Sequence, residues 1–181
     1  MKIFYDTEFI EDGKTIDLIS IGMVAEDGRE LYAVSCEFSF SALQRNDWLM
    51  ANVAPSLPIK PALDGGPWDR EHPDYRHVHP RAEIARKVER FIRATPDPEL
   101  WAWYAAYDHV ALCQLFGRMI DLPDGVPMWT NDLKQEAERL GNPRMPRQAE
   151  GEHNALADAR HNQLMHDFLI VERRRADGGA R

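Results

Sequence analysis

Two carboxylates stand two residues apart near the start of the chain, in the stretch FYDTEF at residues 4–9. The β-branched and aromatic residues before them predict a β-strand. Side chains alternate faces along a strand, so Asp6 and Glu8 point the same way. Burying two like charges together is costly without a cation, and carboxylate oxygens favour a hard one such as Mg²⁺ or Mn²⁺. The alternative is a solvated strand end, because Asp-x-Glu alone is a weak signal.

Three further residues could serve the same site. Asp108 follows a predicted strand, where its simpler role is to cap the next helix. Asp158 lies in the last predicted helix, and His153 precedes it by five residues. Five residues turn a helix by about 500°, so His153 does not stack on the face of Asp158. This offset favours a general base at the helix start over a fixed ligand, with a solvated loop histidine as the alternative.

The elements that must position these residues read as one α/β domain. A helix between strands predicts a crossover, which would make the fourth strand parallel to a neighbour. Proline and glycine mark a long loop between residues 55 and 80. The sequence predicts strands at 2–9, 15–24, 29–38, 99–104 and 128–129, and helices at 47–53, capped by Asn46 or Asp47, and at 81–94, 109–116, 132–140 and 152–171.

Composition bounds the kind of protein. The 181 residues fit one domain at 1–172 with a polar, frayed tail at 173–181. A net charge of −8 argues against a broad basic surface for nucleic acid, though not against an enzyme that touches a few nucleotides. No apolar run approaches the roughly 20 residues of a membrane span, and no signal peptide is recognised. We therefore expect a cytoplasmic protein without a membrane partner, in which Cys36 and Cys113 are reduced core thiols.

The candidate residues form three motifs in order: Asp6-x-Glu8, Tyr107-Asp108 and His153-x-x-x-x-Asp158. Together they resemble the DEDD exonuclease superfamily in its histidine-bearing, RNase T-like DEDDh branch. The tyrosine branch would place Tyr where this chain has Asn154.

Longer strings make the resemblance narrower. FYDTEFIEDG, LISIG, WAWYAAYDHVALCQL and PRMP resemble an actinobacterial family of polyadenylate-specific exoribonucleases, over most of the chain except the Pro-rich loop and the tail. One departure from the wider branch is Tyr104, at a position where many DEDDh enzymes carry Asn.

The resemblance implies an RNase H-like fold, a mixed sheet of about five strands flanked by helices. It implies two Mg²⁺, with Mn²⁺ as a substitute, held by Asp6, Glu8, Asp108 and Asp158, while His153 takes the proton of the attacking water. The implied activity is 3′→5′ exoribonucleolytic release of nucleoside 5′-monophosphates from single-stranded RNA, with adenylate-rich 3′ ends preferred. The implied assembly is a homodimer.

Aromatic residues are the expected contacts for bases, because single strands bind by stacking on rings. Phe9, directly beyond Glu8, is the first candidate, with a place in the core as the equal alternative. Four tryptophans are instead expected in the core or at an interface: Trp48, Trp101, Trp103 and Trp129.

Two other functions stay open at this level. One is a DNA 3′ exonuclease of the proofreading type, and the other is a nucleic-acid-binding module without catalysis. The intact set of four carboxylates and His153 argues against the second.

Overall fold

A six-stranded mixed sheet lies at the centre of the computed structural model, which describes residues 1–60 and 67–178. The strands are β1 (Lys2–Glu11), β2 (Ile16–Ala25), β3 (Glu30–Ser35), β4 (Val78–His79), β5 (Glu99–Ala102) and β6 (Asn131–Asp132). Their order across the sheet is β4-β3-β2-β1-β5-β6. β2 is antiparallel to both β1 and β3, whereas β5 runs parallel to β1, β6 to β5 and β4 to β3. The predicted mixed sheet with helices on its faces is confirmed.

Helices cover both faces of this sheet. They are α1 (Phe40–Gln44), α2 (Asp47–Asn52), α3 (Arg81–Arg93), α4 (Ala106–Gln114), α5 (Leu133–Arg139) and α6 (Ala155–Gly178), with short 3-10 turns at Ala54–Ser56, Pro73–His77 and Met119–Asp121. In the described residues, none of these helices is long and apolar enough to cross a membrane.

Alternation along β1 directs its apolar side chains into two of the hydrophobic clusters, one on each face of the sheet. Ile3 and Tyr5 pack with Ile84 of α3 and Leu112 of α4 on one face of the sheet. The opposite face packs against α1, α2 and the start of α6, where Ala155 is buried. Because the period of a strand is two, residues 6 and 8 of β1 face this second side. The strand therefore aims both carboxylates toward α6.

The predicted crossover is present. α3 presents Ile84, Val88 and Ile92 to the core, at helical spacing, and the chain then returns to the sheet as β5. Parallel pairing of β5 with β1 places Glu99, Leu100 and Trp101 beside residues 2–4. β5 thus ends before it reaches Asp6, which leaves the edge of β1 open at its carboxylates.

Two of the predicted boundaries were wrong, one at the last strand and one at the end of the last helix. The last strand lies at Asn131–Asp132 rather than at 128–129, because the Met128 carbonyl accepts a hydrogen bond from the His109 ring instead of pairing in the sheet. Residues 173–178 are helical rather than a frayed tail, since α6 continues to Gly178 and Arg173 pairs with Glu136 of α5. Residues 179–181 lie outside the described part of the chain.

The segment between β3 and α3 holds more structure than the expected loop. It contains α1, α2 and β4, with Asn46 as the N-cap of α2, its side chain accepting from Leu49 N. Pro61, Gly65 and Gly66 of the expected loop lie outside the described residues. Both cysteines are free; Cys113 is buried as expected, but Cys36 is exposed and is not a core thiol.

Candidate active site

An open cleft of about 1000 Å³ lies where β1, α4 and the start of α6 meet. α2 and the loop between α5 and α6, residues 140–154, complete its walls. The structure brings all of the predicted site residues into this one cleft: Asp6, Glu8, Phe9, Asp108, His153 and Asp158.

β1 supplies the first carboxylates at the centre of the sheet. Glu8 is buried, at 7% exposure, and Asp6 is half-buried beside it. The pairing of β1 with β2 shifts register between Glu8 and Phe9. Such a bulge re-aims side chains, and the residues on its two sides, Glu8 and Phe9, both line the cleft.

Asp108 enters from α4, and it is not the N-cap that its position suggested. α4 begins at Ala106, so Asp108 lies in the first turn, 6% exposed. Its Oδ1 accepts hydrogen bonds from Thr7 N at 2.8 Å and Thr7 Oγ1 at 2.7 Å. The backbone N–H of Thr7 lies on the edge of β1 that β5 leaves open. The carboxylate of Asp108 therefore takes the place of a strand partner and is locked beside Asp6.

α6 brings the fourth carboxylate because a glycine lets the helix touch the sheet. Gly22 pairs with Asp6 in the register of β1 and β2. A Cβ at Gly22 would lie only 2.2 Å from the carbonyl oxygen of Ala155, the first residue of α6. Farther along, Asn162 Nδ2 donates to the buried carbonyl of Tyr5 at 2.9 Å. The first two turns of α6 are thus fixed directly over the residues that flank Asp6.

The start of α6 also fixes Asp158 and His153 relative to each other. Asn154 caps the helix through a hydrogen bond from Ala157 N, and His153 N donates to Asp158 Oδ2 at 2.9 Å. The other oxygen, Oδ1, accepts from Gln148 Nε2 at 2.6 Å. Burial raises the pKa of Asp158, while these two hydrogen bonds oppose the shift.

His153 is held by its backbone rather than by its ring. Its φ of +64° lies in the left-handed region, which histidine tolerates better than most residues. Its carbonyl accepts from Ser56 Oγ at 2.9 Å. The ring meets Trp48 edge-on at 4.8 Å between centroids. It also lies near the carboxylates, with ligand atoms of Glu8, His153 and Asp158 within 4.8 Å of one another.

The clustered carboxylates strongly disfavour one another's charge. Burial, followed by the charges of Asp108 and Glu8, holds the pKa of Asp6 well above its ordinary value. Burial and the charge of Asp158 raise the pKa of Glu8 to about 8. Burial raises the pKa of Asp108 to about 6, although both hydrogen bonds from Thr7 oppose the rise. Desolvation and like charge both penalise the ionised form, so the site is suited to binding a cation.

The donor set fits a hard divalent metal. Four carboxylates converge from three separate elements, and oxygen ligands of this kind are those that Mg²⁺ and Mn²⁺ prefer. Among the described residues, no Lys or Arg side chain lies within 4.0 Å of these four carboxylates to neutralise them. The residues that would hold a metal are Asp6, Glu8, Asp108 and Asp158, with the imidazole of His153 close by.

Aromatic side chains rim the cleft. Phe9 is half-buried and stacks in parallel on Tyr107, with 5.8 Å between ring centroids, so it is part of the cleft wall and not of the core clusters. Trp48, expected in the core or at an interface, is 54% exposed and lines the cleft. Tyr104 is 61% exposed, and its φ of +54° is rare for a bulky residue.

Sequence reasoning missed several residues of the cleft. Thr7 and Gln148, which orient carboxylates, belong to no local pattern because their roles arise only from tertiary contacts. Of the remaining tryptophans, Trp103 lines the cleft, Trp101 packs edge-on against the His166 ring and Trp129 is 67% exposed. Other missed residues that line the cleft are Tyr104, Arg147, Glu152, His161 and Asn162.

Comparison of the whole chain with a solved structure supports the fold. The Mg²⁺- and Mn²⁺-bound form of S. pombe Pop2p aligns with a TM-score of 0.51 at 13% identity, covering 98% of this chain and 84% of that one. At this identity the similarity concerns the fold alone.

Comparison at the sequence level is closer. Two proteins named as 3′-5′ exoribonucleases, MT2234.1 and Rv2179c from two strains of Mycobacterium tuberculosis, are each 47% identical over 182 residues, covering 99% of both chains. The family model of the 3′-5′ exoribonuclease Rv2179c-like domain matches residues 69–169. This range contains Asp108, His153 and Asp158, whereas Asp6 and Glu8 are covered by the full-length relatives. The chain therefore belongs to the Rv2179c-like 3′-5′ exoribonuclease family.

Proposed function

We propose that this protein is a metal-dependent 3′→5′ exoribonuclease that releases nucleoside 5′-monophosphates from single-stranded RNA, preferably from adenylate-rich 3′ ends. The observation that carries the proposal is the convergence of four carboxylates and one histidine in a single cleft. Family membership supports the reaction class and the direction of cutting. The preference for adenylate rests only on the resemblance of the longer sequence strings.

Asp6, Glu8, Asp108 and Asp158 would hold two Mg²⁺ or Mn²⁺. When bound, the metals supply Lewis-acid activation of water and stabilisation of charge on the phosphate and the leaving oxygen. The four carboxylates come from three elements of the fold and would fix the positions of the metals. Thr7 and Gln148 in turn orient two of the carboxylates through side-chain hydrogen bonds.

His153 is proposed as the general base. Its backbone is fixed on both sides by Asp158 and Ser56, so the ring can swing about its side-chain torsions while its attachment point stays fixed. The neutral imidazole would accept the proton of the attacking water as the water adds to the terminal phosphate. The bond from phosphorus to the 3′ oxygen of the preceding nucleotide then breaks, which leaves the phosphate on the 5′ side of the released nucleoside.

Phe9 and Tyr107 are proposed to bind the terminal base. Their parallel rings form a continuous aromatic wall one residue from Glu8 and one residue from Asp108. Each stacked base typically contributes about 1–3 kcal/mol, and stacking tolerates any base. This wall explains binding of unpaired ends without explaining a choice among bases.

The context of the reaction is also a proposal. The family resemblance suggests a single exonuclease domain that acts as a homodimer in the cytoplasm. Sedimentation equilibrium tests the dimer, and fractionation of the native cells tests the compartment.

The deciding experiment is digestion of 5′-end-labelled single-stranded homopolymers in Mg²⁺ and in EDTA. In Mg²⁺ we expect a ladder of products that shortens from the 3′ end, together with released nucleoside 5′-monophosphates. Polyadenylate should be lost faster than the other homopolymers, and no reaction should occur in EDTA. Matched DNA and RNA oligomers separate this function from that of a proofreading DNA exonuclease. Efficient cutting of a circular single strand would exclude an exonuclease, and binding without turnover would favour the non-catalytic module.

A further inference from the structure

We propose that Arg147, in the loop of residues 140–154, binds a phosphodiester of the RNA on the 5′ side of the bond that is cut. The inference deepens the proposed function, on which it rests, because it concerns the substrate of the same cleft. It assigns a binding contact that neither the motifs nor the carboxylate site provides.

The first observation is the charge of the cleft. Among the described residues that line it, five are carboxylates and Arg147 is the only Lys or Arg. An RNA strand brings one negative charge per nucleotide into this acidic surface. Metal ions at the carboxylates can offset repulsion at the reacting phosphate, but they act over a short range in salt. A phosphate farther along the strand needs a separate cation, and Arg147 is the one this wall offers.

The second observation is that Arg147 is free to bind. Eight arginines elsewhere in the described chain have a guanidinium nitrogen within 4.0 Å of a carboxylate oxygen. Within the same described residues Arg147 forms no such ion pair, and its side chain is exposed. A guanidinium offers a planar fork of donors that matches two phosphate oxygens. The side chain is therefore available for a bidentate contact with a ligand.

The third observation is that both sides of Arg147 are anchored. Met145 packs against the cluster that joins α5 and α6, around Leu133 and Met165. Gln148, the next residue after Arg147, donates to Asp158 Oδ1 at 2.6 Å. Pro146 restricts the backbone between the two anchors. The loop thus presents Arg147 at a fixed place on the rim, next to a carboxylate of the site.

This placement favours a neighbouring phosphate over the reacting one. Asp158 is reached by Gln148, which has a shorter side chain than Arg147 and points into the site. Arg147 is exposed at the rim, one residue away along the loop. With the terminal nucleotide at the carboxylate end, a strand that leaves along this wall of the cleft passes Arg147.

The test measures binding of a fluorescein-labelled single-stranded oligoadenylate by anisotropy over a range of salt concentrations, with Ca²⁺ in place of Mg²⁺. Loss of one phosphate contact lowers the slope of log K against log salt by about 0.7 for a single strand. We expect Arg147→Ala to show this lower slope together with severalfold weaker binding. Arg147→Lys should keep the slope, since it keeps the charge, while binding somewhat less tightly than the wild type.

Arg144 offers a matched control, because it is exposed on the same loop but does not line the cleft. Arg144→Ala should keep both the slope and the affinity of the wild type. An unchanged slope in Arg147→Ala, or an equal loss in Arg144→Ala, would overturn the inference.

Hydrolysis of the same RNA in Mg²⁺ tests the proposed function separately. If the wild type binds RNA but does not cut it, the proposed function fails and the role of Arg147 stands on the slopes. If the wild type cuts RNA and all slopes agree, the inference fails alone. If the wild type neither binds nor cuts RNA, both are wrong.

Discussion

At the scale of single residues, the site depends on His153 being near the carboxylates without having to bind metal. We expect His153→Ala to lose about 10²–10⁴-fold in rate, the usual contribution of a positioned proton acceptor. Affinity for Mn²⁺, measured by calorimetry, should stay close to that of the wild type. His161→Ala is the matched control, because His161 lines the same cleft one helical turn beyond Asp158. Wild-type turnover in His153→Ala would rule out the role, and lost Mn²⁺ binding would make His153 a ligand.

Thr7 carries a prediction that the motifs do not contain. Thr7→Val keeps the side-chain shape but removes the hydroxyl that donates to Asp108 Oδ1. Losing a partner that orients a ligand typically costs about 10–100-fold in metal affinity or activity. We expect a loss of that size in Mn²⁺ affinity or kcat/KM, with Thr7→Ser close to the wild type because it retains the hydroxyl. If Thr7→Val and Thr7→Ser both kept wild-type Mn²⁺ affinity and kcat/KM, the backbone N–H alone would be enough to fix Asp108.

The carboxylates of the site could be predicted from the sequence, whereas the contacts that orient them could not. The acidic motifs were recognisable because their spacing follows from the period of a strand and the start of a helix. The role of Thr7 was not, because it depends on α4 approaching the open edge of β1. The N-cap role suggested for Asp108 was wrong for the same reason. Its Oδ1 accepts a hydrogen bond from Thr7 N of β1, 101 residues away in sequence.

At the scale of elements, the contact between α6 and β2 determines where Asp158 lies. Gly22→Ala would place a Cβ 2.2 Å from the Ala155 carbonyl oxygen, so the helix must move away from the sheet. Overpacking of this kind costs typically about 1–3 kcal/mol, and a displacement of about 1 Å at a catalytic group can cost about 100-fold in rate. We expect lower stability in urea titrations and loss of activity beyond what the unfolded fraction explains.

Gly178→Ala is the control, because nothing lies within 4 Å of a Cβ at the other end of the same helix. It should be neutral or slightly stabilising, since alanine favours helix. A fully active Gly22→Ala protein would show that the position of α6 does not limit catalysis.

Element boundaries were the weakest part of the sequence analysis. The tail was expected to be frayed because Arg173, Arg174 and Arg175 begin a polar terminal segment, and such segments are often poorly ordered. Arginine is nevertheless a good helix former, and Glu136 of α5 supplies a partner for Arg173. β6 was misplaced because Asn131 and Asp132 carry no apolar pattern, whereas the apolar residues Met128 and Trp129 are exposed.

At the scale of the whole molecule, the carboxylate cluster makes stability depend on metal and pH. A carboxyl group with a higher pKa in the folded state binds its proton more tightly when folded, so its stabilising effect is lost as pH rises. Glu8 has a folded pKa of about 8 against an ordinary value of 4.5, and the pKa values of Asp6 and Asp108 are also raised. In EDTA, unfolding should therefore become easier between about pH 5 and pH 8.

Thermal unfolding measures this effect. We expect Tm in EDTA to fall across that pH range, and Mg²⁺ to restore most of the loss at pH 8, because it binds only the folded protein's assembled site. Glu8→Gln should flatten the fall in EDTA and reduce the gain from Mg²⁺, since it removes one of the charges. A Tm that is independent of pH in EDTA would contradict the raised pKa values.

The contact of Asn162 with the Tyr5 carbonyl joins residues 157 positions apart in the sequence. A chain emerging from the ribosome presents β1, with Asp6 and Glu8, first and α6 much later. Until α6 has left the exit tunnel and docked over Gly22, the nascent protein carries three of its carboxylates and lacks the fourth. The four carboxylates can therefore meet only after α6 has been synthesised and has docked on the sheet, so the site is completed late in folding.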